Sequence, residues 1–177
     1  QRRYLDTLIQ GAQGMTMVRE LKRLLNLIVH ILSRTIRVNN VAVWLFDQKH
    51  SQYVLQALLA CEGLKVGDMI RADSVLIQHL AWERRPLVRK EMQTNPKRLE
   101  SDRARTSIQE MERLKATVII PSFVQDRMVG FVTLSQRKGG EYYSPQDSEV
   151  FQVLSNQAAL AIENAQFPEA LKRTQTD

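Results

Sequence analysis

A single cysteine, Cys61, stands among the 177 residues, which excludes an internal disulfide and suits a reducing compartment. No run of eighteen or more apolar residues occurs, so no segment is long enough to cross a bilayer as a helix. No secretory signal opens the chain, and no initiator Met either. Both ends have the character of mid-helix sequence, so the chain reads as a piece of a longer cytoplasmic protein, with a covalently linked output domain to follow. Aromatics make up only 6% of the residues, which leaves the core to aliphatic side chains. Basic residues outnumber acidic ones by 25 to 19, a net charge of +6 that is too evenly mixed to mark a polyanion site. The most basic region holds Arg84, Arg85, Arg89, Lys90, Lys97, Arg98, Arg103 and Arg105. Glu83, Glu91, Glu100 and Asp102 dilute it, so a solvated surface is expected and no nucleic acid.

Catalytic signatures are also missing. His30, His50 and His79 have no second His or Cys at metal-ligand spacing. Ser122 and Ser135 lack nucleophile-elbow context, and Gly139-Gly140 has no phosphate-cradle pattern beside it. The sequence therefore assigns no catalytic residue and no metal ligand.

What is present is organised around residues 115–167. Ala116 to Val124 is apolar and β-branched, Gln125-Asp126-Arg127 is a short polar break, and Met128 to Ser135 returns: an antiparallel hairpin. Gly130 within the return strand suggests a close backbone approach. Ser144-Pro145-Gln146-Asp147 has the form of a helix N-terminus, and the helix runs to about Phe167, before Pro168.

Upstream, Gly11 and Gly14 interrupt a short helical segment. From Met15 to about Arg37, Val18, Leu21, Leu25, Ile28 and Leu32 repeat at helical spacing, widened by Leu24, Leu27 and Ile31. A stripe that wide needs two partners, the domain's own sheet and a second subunit. Val41 to Phe46 and Tyr53 to Cys61 follow as strands, the second with blurred alternation. Val75 to Trp82 forms a short helix, Leu87-Val88 a brief strand, and Ile108 to Leu114 a second short helix after the irregular stretch Glu91 to Ser107. A connection this long between strands usually covers something.

The element order predicts an α+β domain of α/β/α layers over residues 15–167, with a connecting helix in 1–14 and a linker from 168–177. A central, mostly antiparallel sheet of five or six strands would carry the terminal helices on one face and short cover helices on the other. Strand parity puts Ala42, Trp44 and Phe46 on one face and Val41, Val43 and Leu45 on the opposite one. Phe131, Thr133 and Ser135, and likewise Thr117, Ile119 and Pro121, alternate with aliphatic neighbours. The mixed set, with Ile77 and Leu80 above it, outlines a candidate small-molecule pocket. A filled interior with no ligand is the competing reading. The outer helix faces, with Val18, Leu21, Leu25, Ile28, Val150, Leu154, Ala158 and Ala161, are candidates for a homodimer bundle.

The run from Lys115 to Asn164 resembles the C-terminal half of a GAF domain. The matching pieces are the strand ending at Pro121, Gly130, "YYSPQDSEV" and "LSNQAALAIENAQF", joined upstream by "VAVWLFD" and "DSVLIQHLAWERRPLV". The resemblance spans about Val18 to Phe167, and "LSQRKGGEYYSPQD" is most similar to modules preceding bacterial histidine kinase cores. It implies a central antiparallel sheet, a ligand cavity on the cover side, a dimer bundle from the first and last helices, and a sensory role. It does not specify a cofactor. The polar constellation of the cyclic-nucleotide binders is missing, and Cys61 lacks the bilin-attachment context.

Overall fold

The structure, a computed structural model, describes residues 2–95, 97, 101–137, 139, 143 and 145–166. Side chains of residues 2–18, Pro145, Ala161, Ala165 and Gln166 lie outside that description. In chain order the elements are α1 (Arg2–Ile36), β1 (Val41–Asp47), β2 (Gln52–Leu59), β3 (Met69–Arg71), α2 (Val75–Glu83) and β4 (Leu87–Val88). They continue with α3 (Arg89–Thr94), α4 (Asp102–Arg113), β5 (Val118–Val124), β6 (Arg127–Leu134) and α5 (Pro145–Gln166).

Six strands form one sheet in the order β3-β2-β1-β6-β5-β4, with every neighbouring pair antiparallel. The β5–β6 hairpin turns on Gln125-Asp126, one residue tighter than expected, with Val124 paired to Arg127. Gln125 takes a left-handed φ of 54° there. α1 and α5 lie on one face. Leu25, Val29, Leu32 and Ile36 of α1 and Phe151, Ala158 and Ile162 of α5 pack on Val41, Val43, Val118, Ile120, Val132 and Leu134. The opposite face packs under α2, α3 and α4, as the layered expectation required.

Two irregularities let the sheet serve both layers. Val43 pairs with Ala57 but Trp44 pairs with Leu55, so Gln56 is an extra residue in β2. Tyr53 and Leu55 therefore face the cover, whereas Ala57 faces the helices, which explains the blurred alternation. A second shift, between Ser122 and Phe123, makes Val129 the extra residue of β6. Both Met128 and Phe131 consequently reach the cover layer. Gly130 lies between Ser122 and Leu45, and a Cβ there would meet the Trp44 carbonyl oxygen at 2.5 Å. The expected close approach is between backbones.

Several expectations are corrected. α1 runs through Gly11 and Gly14 without a break. A glycine costs a helix interior only about 1 kcal/mol, and the flanking residues are good helix formers. α4 starts at Asp102, six residues before the expected Ile108, capped by the Ser101 hydroxyl accepting from the Ala104 N–H. α3 and the exposed edge strand β3 were not anticipated. The Ser144 cap and the Pro168 stop lie outside the described residues.

Candidate functional site

Within the cover layer, α2 and α4 brace each other. Ser74 caps α2 by accepting from the Ile77 N–H at 3.4 Å, and Glu110 of α4 accepts from the Leu76 N–H at 2.9 Å. These bonds satisfy amides that a helix start leaves without intrahelical partners. α2 turns Leu76, Ile77, His79 and Leu80 inward, and α4 turns Ala104, Ser107, Ile108 and Met111. His79 is buried between the helices, its Nδ1 lying 2.9 Å from the Ser107 hydroxyl and its Nε2 3.6 Å from Glu83. It is a packing residue of the cover rather than a free base. At its C-terminus α2 is tied to the β5–β6 turn by Arg84. That guanidinium sits 4.3 Å from the Phe123 ring centroid, donates to the Gln125 carbonyl at 2.7 Å and lies 3.5 Å from the Asp126 carboxylate.

Beneath the cover runs a chain of aromatic contacts. Trp44 stacks on Phe131 at 5.5 Å with 14° between planes, Phe131 meets Tyr53 at 5.3 Å, and Tyr53 meets Phe46 at 5.2 Å. Trp44 Nε1 donates to the Thr133 hydroxyl at 3.4 Å, and the Tyr53 hydroxyl donates to the Met128 carbonyl at 2.8 Å. Burial pushes the Tyr53 phenol up to about 12.

Of the eleven pocket candidates, Ala42, Trp44, Ile77, Leu80, Ile119 and Phe131 meet in one buried cluster, and Thr133 joins it through the Trp44 bond. Trp44 and Phe131 are each only 1% exposed. Leu55, Leu76, Leu87, Met92, Ile108 and Met111, which sequence reasoning did not place here, fill the space around them. Met92 lies in the stretch that looked irregular and Ile108 at the start of the expected short helix that follows it; only the i, i+4, i+7 spacing of Ala104, Ile108 and Met111 could have signalled that the buried face begins earlier. The other four candidates stand apart. Phe46 lines a separate surface hollow of about 370 Å³ with Tyr53, Ala72, Arg127 and Met128. Thr117 lines another, of about 300 Å³, with Arg89, Gln136 and Tyr143. Pro121 pairs with Phe131 in the ladder, and its carbonyl accepts from Ser155 of α5. Ser135 accepts from the Asn40 amide at 3.2 Å, closing the end of the sheet.

The outer side of the terminal helices is different in character. Leu24, Leu27, Ile28, Ile31, Leu154 and Gln157 border an apolar groove of about 230 Å³ between α1 and α5. Leu27 is 55% exposed, Val153 and Leu160 are 60% exposed, and Ile31 and Val150 are also exposed. Among the dimer candidates, Leu21, Ile28 and Leu154 are partly buried at this margin, whereas Leu25 and Ala158 point into the domain's own core. The side chains of Val18 and Ala161 lie outside the description.

Cys61 is half-buried, its thiol donates weakly to the Val41 carbonyl at 3.4 Å, and burial pushes its pKa up. Among the described residues no group of three or more His, Cys, Asp or Glu side chains could hold a metal, and no helix is long and apolar enough to cross a membrane.

A family profile described as "GAF domain" matches residues 20–164. The chain belongs to the GAF domain family. The GAF fold is equally evident among solved structures. The GAF domain of a two-component sensor histidine kinase from Bacillus halodurans is 17% identical with a TM-score of 0.58, the match covering 83% of this chain and 96% of that one. The GAF domain of an Acinetobacter phosphoenolpyruvate-protein phosphotransferase is 18% identical at 0.59, covering 89% and 95%. A GAF domain/HD domain protein from Geobacter sulfurreducens is 14% identical at 0.59, covering 83% and 95%. No curated protein matches the sequence. At these identities the likeness concerns the fold, and it agrees with the layered sheet expected from the residues alone.

Proposed function

We propose that this GAF domain is a non-catalytic regulatory module of a larger cytoplasmic signalling protein, a two-component sensor histidine kinase being the favoured class. The cover layer is the input, and α1 with α5 is the output element, which pairs with its counterpart in a second copy. A small molecule enters beneath α2, in the place of part of the packing around Trp44 and Phe131. The change then crosses the sheet to the terminal helices. For this to act as a signal, the ligand must bind one helix arrangement better than the other.

The observation that carries this reading is the division of the core into two layers, with an apolar strip left on the outer side of the helices. Leu27, Ile31, Val153 and Leu160 are exposed beside an apolar groove, a placement that suits a partner surface. The settings in which similar domains occur, a sensor histidine kinase and a phosphotransferase protein, agree with a regulatory role.

The second reading is a dimerisation module with no ligand, and the tight packing of Trp44, Leu80, Met92, Met111 and Phe131 favours it. One set of experiments separates the two. Trp82→Phe leaves Trp44 as the sole tryptophan. A metabolite that raises the melting temperature with concentration and shifts the Trp44 emission supports the sensor. No response across a broad panel, together with a dimer that Leu27→Glu and Leu160→Lys convert to monomer, supports the dimerisation module. A chain that is monomeric at high concentration and unresponsive overturns both.

A further inference from the structure

The two terminal helices meet at their inner ends through one side chain. Arg137 follows β6 and forms an isolated antiparallel bridge with Val38, just beyond the end of α1. Its Nε donates to the Ile36 carbonyl at 3.1 Å, at the last residue of α1. Its Nη1 donates to Asp147 Oδ2 at 3.0 Å, in the first turn of α5. Both side chains are mostly buried. Other contacts among the described residues hold this corner in place. The Ser33 hydroxyl donates to the Val38 carbonyl at 2.9 Å, and the Tyr143 hydroxyl donates to the Ser135 carbonyl at 2.7 Å. Tyr143 also packs edge-on against Phe151 of α5, with ring centroids 5.3 Å apart.

The electrostatics of the corner favour this arrangement. A helix C-terminus carries partial negative charge and a helix N-terminus partial positive charge, so a cation at the Ile36 carbonyl and an anion in the first turn of α5 are each stabilised. The guanidinium is a rigid fork that can serve both at once, which a lysine ammonium on its flexible stem does less well. We propose that Arg137 is a positioning residue that couples α1 to α5, so that a displacement of either helix end is imposed on the other through its guanidinium as well as through the sheet. This deepens the reading of α1 and α5 as the output element, and rests on it for its signalling meaning.

The test is amide hydrogen exchange on the full chain, at a concentration where it is monomeric, so that neither a dimer nor a ligand is needed. Residues 33–36 report the end of α1 and residues 150–154 the start of α5. Arg137→Met is expected to speed exchange on the order of tenfold at both ends, as loss of charge-assisted hydrogen bonds implies, and to leave residues 104–111 of the cover unchanged. Asp147→Asn should loosen the start of α5 alone. Arg137→Lys, a milder change, should retain the Asp147 pair and loosen the end of α1 alone. The coupling is overturned if Arg137→Met leaves either end unchanged, if Asp147→Asn loosens both ends equally, or if Arg137→Lys preserves both. A failure here leaves the dimer and ligand experiments untouched, and their failure leaves this one standing.

Discussion

Replacing Gly130 by alanine tests the sheet at its most crowded point. The added Cβ would sit 2.5 Å from the Trp44 carbonyl oxygen and 3.0 Å from Leu45 Cδ2. The φ at Gly130 is outside the left-handed region, unlike Gly63 at +85°, so alanine can adopt the backbone conformation and the cost in the folded state is the clash. Restricting the unfolded chain favours alanine by about 0.4–1 kcal/mol. Against that, overpacking costs about 1–3 kcal/mol, and the upper end applies because a carbonyl in a central ladder cannot rotate aside. Gly130 is flanked by Leu45 on β1 and Ser122 on β5, so relief requires prising β1 from β6. The net loss is about 2 kcal/mol, which for a domain of this size lowers the melting temperature by about 4–8 °C. Urea unfolding, monitored by Trp44 fluorescence in a Trp82→Phe background, measures it directly. A Gly130→Ala protein with an unchanged or raised midpoint would refute the close-approach reasoning.

Two further outcomes follow from named contacts. The Tyr53 phenol is pushed up to about 12 from 10.0 by burial, so the folded state favours the protonated form. That contribution is present below about pH 10 and fades as the pH rises through about 12, so alkaline unfolding curves should flatten in Tyr53→Phe and keep only the part due to other groups such as the half-buried Tyr143. Arg84→Ala removes the ring contact with Phe123 and the bond to the Gln125 carbonyl. The expected cost is about 1 kcal/mol, with faster amide exchange in the last turn of α2 and none in α1; an effect spread evenly over the domain would contradict a local latch.

The parity of β1 was legible because Val-Ala-Val-Trp-Leu-Phe alternates without interruption and buries both faces, each against a different layer. β4 was legible from two apolar residues after Arg85-Pro86, and Gly130 from its isolation in an apolar run. β3 was not: it has three residues, Met69 and Arg71 are exposed, and it gains its place only by pairing with Gln52 to Val54. The early start of α4 was hidden because Ala104 and Ser107, two of its four buried residues, are too small or polar to count in an apolar stripe. The candidate site was half legible for the same kind of reason. Parity found Trp44, Phe131 and Thr133, but it could not foresee that Met92 and Met111, contributed by the polar cover segment, would be buried in the same cluster. Nor could spacing show that Thr117 and Ser135 lie beyond the strand ends, where alternation no longer governs direction.

The extra residue in β2 bears on how such a chain can change length over generations. Removing Gln56 would bring Leu55 and Ala57 side by side while leaving Leu55 opposite Trp44 and Ala57 opposite Val43, so each side chain would keep its present layer. Removing Leu55 or Ala57 instead would also abolish the extra residue, but it would put the polar Gln56 in the place of a buried side chain. A lineage could therefore gain or shed a residue at this one place and inherit the same two cores.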